Sequence, residues 1–101
     1  MTELSLIMPA YREEENLRLL LPRLKKTLDG EKITYEILVV DTPQALDNTE
    51  LLCKDFTEVQ HIRREGGEAF GDAVRTGIGR SKGKFLLFMD SDGSHGPEFV
   101  P

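Results

Sequence analysis

Apolar and polar positions alternate between two periods along this chain. Residues 4–8 form a short apolar run that ends at Pro9, which predicts a buried strand. From about Glu13 the period changes. Leu17, Leu20, Leu21, Leu24 and Leu28 recur at spacings of three and four, the mark of an amphipathic helix. Glu13, Glu14 and Glu15 suit the positive N-terminal end of that helix. Lys25 and Lys26 suit its last turns, Gly30 its stop, and Pro22 predicts a kink inside it. Residues 35–40 read as a second strand, apolar on both faces and ended by Asp41. Asp47 or Asn48 can cap a short helix carrying Leu51, Leu52 and Phe56. Residues 59–62 predict a third, weaker strand. A helix with Phe70, Ala73, Val74 and Ile78 follows the Gly66-Gly67 loop, and residues 85–89 predict a fourth strand ended by Asp90.

The order β-α-β-α-β-α-β implies a three-layer α/β/α arrangement on a parallel sheet. Right-handed crossovers then give the strand order 3-2-1-4, with the first strand central. A four-stranded parallel sheet of this kind has an uncovered edge, so the 101 residues are expected to be part of a larger domain and open to dimerisation through that edge.

Composition narrows the function. Hydrophobic residues make up 39% and charged residues 31%, as in an ordinary globular protein, but the formal net charge is −5. An acidic chain argues against nucleic acid as a partner. It would also repel a phosphorylated ligand unless a divalent cation intervened, with carboxylates as its ligands. One cysteine allows no internal disulfide. Cys53 lies near the apolar side of a helix and reads as core. With no signal peptide and no apolar run long enough to span a bilayer, the expected location is the cytoplasm, or the cytoplasmic face of a membrane by peripheral attachment.

Open parallel sheets bind ligands at the carboxyl ends of their strands. Four polar or turn-forming segments fall there: Pro9-Ala10-Tyr11, Asp41-Thr42-Pro43, residues 63–67, and Asp90-Ser91-Asp92. The acid-x-acid spacing alone is cheap, since this composition yields about three by chance. Its place directly after the apolar run 85–89, with Gly93, Ser94 and Gly96 beyond, is more telling. Two carboxylates so placed can hold one hard cation, Mg²⁺ or Mn²⁺, that also takes phosphate oxygens. They could also form a solvated turn capping a following helix. Asp41 could accept hydrogen bonds from a ribose or base, or close a turn. Tyr11 could stack on a base or sit on the rim of the core. Glu13 lies near the same edge. His95 is close to the acidic pair, and His61 shows no partner. Gly71 and Gly77 are expected to let their helix approach the sheet. The stretch 66–77 lacks the Walker spacing and does not follow the first strand, so neither a phosphate loop nor a dinucleotide fingerprint fits.

Taken together, these segments resemble the family-2 glycosyltransferases. Residues 9–17 resemble that family's opening Pro-x-Tyr-Asn-Glu segment, with Arg12 in place of the usual Asn. Residues 35–41 resemble its second strand and nucleotide-contacting Asp, and Gly71-Asp72-Ala73 with Gly77 its Gly-x-Ala-x-x-x-Gly helix. Lys82-Gly83-Lys84 leading to Asp90-Ser91-Asp92 and then Pro97-Glu98 is most similar to the dolichyl- or polyprenyl-phosphate hexose synthase branch. Other features depart from the family: Asp41 is followed by Thr42-Pro43, not by a second Asp and a Gly-Ser turn, and Ala69 stands where many members have Gly.

The resemblance implies that residues 1–101 are the nucleotide-sugar-binding, Rossmann-like half of a GT-A catalytic domain. It implies a nucleotide-sugar donor (GDP-mannose or UDP-glucose), Mg²⁺ or Mn²⁺, and transfer of a hexose to dolichyl or polyprenyl phosphate. By position, Pro9, Tyr11, Glu13 and Asp41 would surround the nucleoside. Asp90 would lie near the ribose or the metal, Asp92 would ligate the metal, and Ser94 would add a metal-side contact. The other readings are a non-catalytic nucleotide-binding fragment and an α/β interaction module. A nucleotidyltransferase wants a Gly-rich signature after the first strand, and a receiver-like module wants an acidic pair there. This chain has Pro-Ala-Tyr.

Overall fold

The computed structural model describes residues 2–67 and 70–89, with Phe70 as backbone alone. Among the described residues four strands and three helices alternate: β1 Leu4–Pro9, α1 Glu14–Gly30, β2 Tyr35–Asp41, α2 Thr49–Cys53, β3 Val59–Arg63, α3 Phe70–Arg80 and β4 Phe85–Phe88. All pairings are parallel and the order is β3-β2-β1-β4, the order expected from the alternation.

The two sides of each strand serve different helices. Leu4, Leu6, Met8, Ile37 and Val39 face α1 and α2, where they meet all five leucines of the α1 stripe, Leu52 and Cys53. Burying a leucine stabilises by about 2 kcal/mol, so this face holds most of the core. The opposite side carries Ile7, Leu38, Val40 and Ile62 under Ala73 of α3. Gly77 completes that contact: a Cβ there would stand 2.5 Å from Ile7 Cγ2. Gly71 does not share the role. It is exposed, and an added Cβ would meet only Arg75, at 3.5 Å. Six residues turn a helix through about 600°, so the two glycines point to different sides.

Other local expectations shift for physical reasons. α1 runs as one 17-residue helix through Pro22, which lies on its exposed side, where water can satisfy the Arg18 carbonyl that proline leaves without a donor. The helix includes Gly30, and the left-handed residue after it is Lys32, at φ 59°. Lys25 is not in the last turn. It bonds to Glu58 (3.1 Å) and Asp29 (3.2 Å). The N-cap of α2 is Asn48, whose side chain makes no cap bond, and Asp47 just before it accepts the Thr49 N–H on Oδ1 (3.1 Å). Leu51 and Ile78 are exposed, and so are Phe85, Leu86 and Phe88 of β4. No helix among the described residues is long and apolar enough to cross a membrane.

β2 is not wholly apolar. Glu36 is buried, and its carboxylate accepts from Ser5 Oγ (2.6 Å), the Lys82 N–H (2.6 Å) and Gln60 Nε2 (3.3 Å). The Gly83 N–H then donates to Ser5 Oγ (2.7 Å). This network ties the α3–β4 turn to β1, β2 and β3 at the end of the sheet where β1 begins, away from the candidate site. It also fixes where β4 enters the sheet.

Candidate functional site

The carboxyl ends of β1, β2 and β3 converge on two buried polar groups. The first is the Arg64 guanidinium, which is 5% exposed. Its Nε donates to Asp41 O (3.1 Å), and its Nη2 donates to Val40 O (3.2 Å) and to Ala10 O. The Arg64 N–H also donates to Asp41 O (2.9 Å). Val40 O and Asp41 O each already accept a backbone N–H, from Ala10 and Arg64, and the planar fork adds a second donor to each and reaches Ala10 O as well. Arg64 thereby fixes the relative positions of Ala10, beside Tyr11, and of Asp41.

The second group is the Asp41 carboxylate, on a residue 2% exposed. Oδ1 accepts the Thr42 N–H (2.7 Å), and Oδ2 pairs with His61 Nε2 (2.9 Å). Arg63 Nη1 lies 3.5 Å from Oδ2, donates to Thr42 O (3.1 Å), and its Nη2 reaches Glu50 (3.0 Å). Burial alone would raise the Asp41 pKa. The hydrogen bonds from His61 and Thr42 and the nearby charges of His61 and Arg63 more than offset it, so the carboxyl sits below its ordinary value and is ionised. His61 therefore has a partner, contrary to the sequence expectation. The parallel register sets Val39 beside His61 and Asp41 beside Arg63, which brings the ring to the carboxylate. No local pattern announces that register. Cys53, nearby, is buried, and its thiol is pushed up to about 12 by burial and the surrounding carboxylates, which suits an inert core residue.

Tyr11 stands at the same edge, half exposed, with the Arg12 guanidinium 5.9 Å from its ring centroid. Arg12 takes φ 53°, a conformation in which Asn costs less than arginine. An open hollow of about 280 Å³ lies beside it, lined by Arg12, Glu14, Glu15, Asn16, Leu46 and Asp47. Asp47 Oδ2 accepts the Glu14 N–H (3.2 Å) and Glu14 Oε1 accepts the Asn48 N–H (3.0 Å), so the β2–α2 loop is clasped to the start of α1. Glu13 precedes α1 and its carbonyl opens the helix ladder at Leu17. Pro9 ends β1 beside Val40.

The structure thus gathers Pro9, Tyr11, Glu13 and Asp41 at one edge. Asp90, Asp92, Ser94 and His95 lie outside the described residues. Met89, whose N–H donates to Ile7 O (3.0 Å), is the last described residue before the acidic pair. Among the described residues no three His, Cys, Asp or Glu side chains gather as a metal site.

The profile of the family described as Glycosyl transferase family 2 matches residues 5–101. The chain belongs to that family. It is 34% identical over 102 residues to a dolichol-phosphate mannosyltransferase of Pyrococcus furiosus, and 35% identical over 103 residues to one of Saccharomyces cerevisiae. Each match covers 98% of this chain but only 28% and 39% of those relatives, so the chain spans well under half of their length. Among solved structures, the family-2 chain is similar in fold to S. aureus TarS, residues 1–349. The TM-score is 0.73 and the identity 24%, over 90% of this chain and 28% of that one. TarS in complex with UDP matches at a TM-score of 0.69 and 22% identity, over 90% and 28% of the two chains.

Proposed function

We propose that the chain is the nucleotide-sugar-binding part of a metal-dependent hexosyltransferase. It would bind GDP-mannose or UDP-glucose and serve transfer of the hexose to dolichyl or polyprenyl phosphate. The observation that carries this reading is the convergence of Tyr11 and Asp41 on one sheet edge, tied by Arg64, in a family-2 chain. The two relatives named dolichol-phosphate mannosyltransferase support the acceptor class, and the UDP complex of the fold neighbour supports a nucleoside diphosphate as ligand.

In this reading Tyr11 offers a face to the base and the ionised Asp41 accepts N–H or O–H donors from the nucleoside. Pro9 and Glu13 close the sides. Asp90, Asp92 and Ser94 would offer oxygen donors alone, which suits a hard cation. Mg²⁺ or Mn²⁺ held there would supply Lewis-acid stabilisation of the charge developing on the departing diphosphate. The acceptor phosphate is already anionic and needs little help from a base. The exposed apolar side chains of β4 favour self-association of the chain as it stands.

A transfer assay tests this. The intact protein carrying this sequence, given Mg²⁺ and dolichyl phosphate in detergent, is expected to move label into the lipid fraction from labelled GDP-mannose or UDP-glucose. Asp92→Asn or a chelator is expected to lower the rate at least about 100-fold. Undiminished transfer in chelator contradicts metal dependence, and no transfer from either donor contradicts the substrate reading.

A further inference from the structure

Hydrogen counting around Asp41 separates donors that are committed to it from those that only lie near. An ionised carboxylate has about four lone-pair sites. The Thr42 N–H occupies one on Oδ1 at 2.7 Å, and His61 Nε2 occupies one on Oδ2 at 2.9 Å. Two further neighbours do not add full bonds. Thr42 Oγ is 3.4 Å from Oδ1, but its single proton goes to Gln44 O at 2.6 Å. Arg63 Nη1 is 3.5 Å from Oδ2 and donates instead to Thr42 O. One lone pair on each oxygen thus remains.

We propose that His61 is a positioning residue for Asp41. It fixes the carboxylate plane so that the remaining lone pairs meet the N–H or O–H donors of a bound nucleoside. The inference rests on the nucleotide-site reading given above. Its structural basis is independent of that reading: two buried side chains, 8% and 2% exposed, joined across two strands by one bond of ordinary length. Because Asp41 is ionised, the proton lies on Nε2, so the ring donates whether neutral or protonated. Removing the ring leaves Oδ2 with Arg63 as its nearest donor. The guanidinium can then swing from Thr42 O onto the carboxylate and turn it from the ligand. The other groups around His61 are Glu50 and Cys53 of α2, Lys54 just after it and Val59 of β3, which line a hollow of about 200 Å³ with it. Among these, Glu50 is already bonded to Arg63.

The test is titration of GDP and of UDP, each with Mg²⁺, into the unaltered chain and into His61→Ala, His61→Gln, His61→Asn and Asp41→Asn, followed by amide NMR. Gln can carry an N–H to the place of the ring Nε2–H, and Asn is too short. Asp41→Asn and His61→Ala are each expected to weaken nucleotide binding about tenfold, with His61→Gln close to the unaltered chain and His61→Asn near the Ala variant. The double variant is expected to bind no worse than Asp41→Asn, because the two residues act as one unit. If Asp41→Asn weakens binding but His61→Ala does not, or if Gln and Asn behave alike, the positioning role is overturned and the site reading stands. If Asp41→Asn binds as the unaltered chain does, or that chain binds neither nucleotide, the site reading itself fails and the inference with it. Should His61→Ala not fold, the Gln–Asn comparison decides alone.

Discussion

Gly83→Ala is expected to cost the fold roughly 3–5 kcal/mol, a large share of the stability of a domain this size. The turn before β4 crosses the start of β1 with no room for a side chain. A Cβ on Gly83 would stand 2.5 Å from the Ser5 nitrogen and hydroxyl and 2.7 Å from the Leu4 carbonyl carbon. Two of those three atoms are backbone of a strand held on both sides, by β2 and by β4. Neither can step aside, so the turn must lift. Lifting breaks the Gly83–Ser5 and Lys82–Glu36 bonds and leaves a buried carboxylate short of a donor. Gly79→Ala is the control. It lies in α3, nothing stands within 4 Å of its added Cβ, and alanine is the better helix former, so it is expected to be neutral or stabilising by about 0.5–1 kcal/mol. Urea unfolding followed by circular dichroism checks both. Equal midpoints for the two variants would contradict the crowding argument.

Arg64→Leu is expected to lose roughly 3 kcal/mol and to loosen the site more than the rest of the sheet. Leucine fills part of the volume but takes the side-chain donor from Ala10 O and leaves Val40 O and Asp41 O with their backbone donors alone. The Ala10 N–H donates to Val40 O and the Arg64 N–H to Asp41 O, and both bonds sit where the fork holds the strand ends. Amide exchange at these two positions is expected to speed up well beyond that of Leu38 and Val39 in the middle of β2. Uniform acceleration across the sheet would mean that Arg64 adds stability without organising the site.

The elements most readable in the sequence were those whose signal is local. Five leucines at helical spacing can bury only one side of α1, and short apolar runs between helices leave a parallel sheet few orders to adopt. What stayed hidden depends on register. His61 meets Asp41 only because Asp41 lies beside Arg63 two residues further along β3, and register follows from turn geometry, not from composition. Gly83 stands out in the sequence only as part of Lys82-Gly83-Lys84, and nothing local announces that its turn crosses β1 at Ser5. Arg64 reads as one more charge in a polar loop, although an arginine directly after a buried strand is a usable hint. Glu36, a charge inside an apolar strand, was the one visible sign of the network beneath β4, and periodicity alone passes over it.

The most direct measurement of the central claim is a nucleotide titration of this chain, run with Mg²⁺ and again with chelator. Because the net charge is −5, a bare pyrophosphate would meet repulsion from several carboxylates, and the cation would turn that repulsion into coordination. Affinity is expected to be weak. GDP or UDP with Mg²⁺ is expected to shift the amides of Tyr11, Asp41 and Thr42 together with those of residues 90–94. The shifts should vanish in chelator, with Asp92→Asn more damaging than Asp90→Asn. Equal shifts with and without Mg²⁺, or shifts confined to the opposite end of the sheet around Ser5, Glu36 and Gly83, would contradict the account.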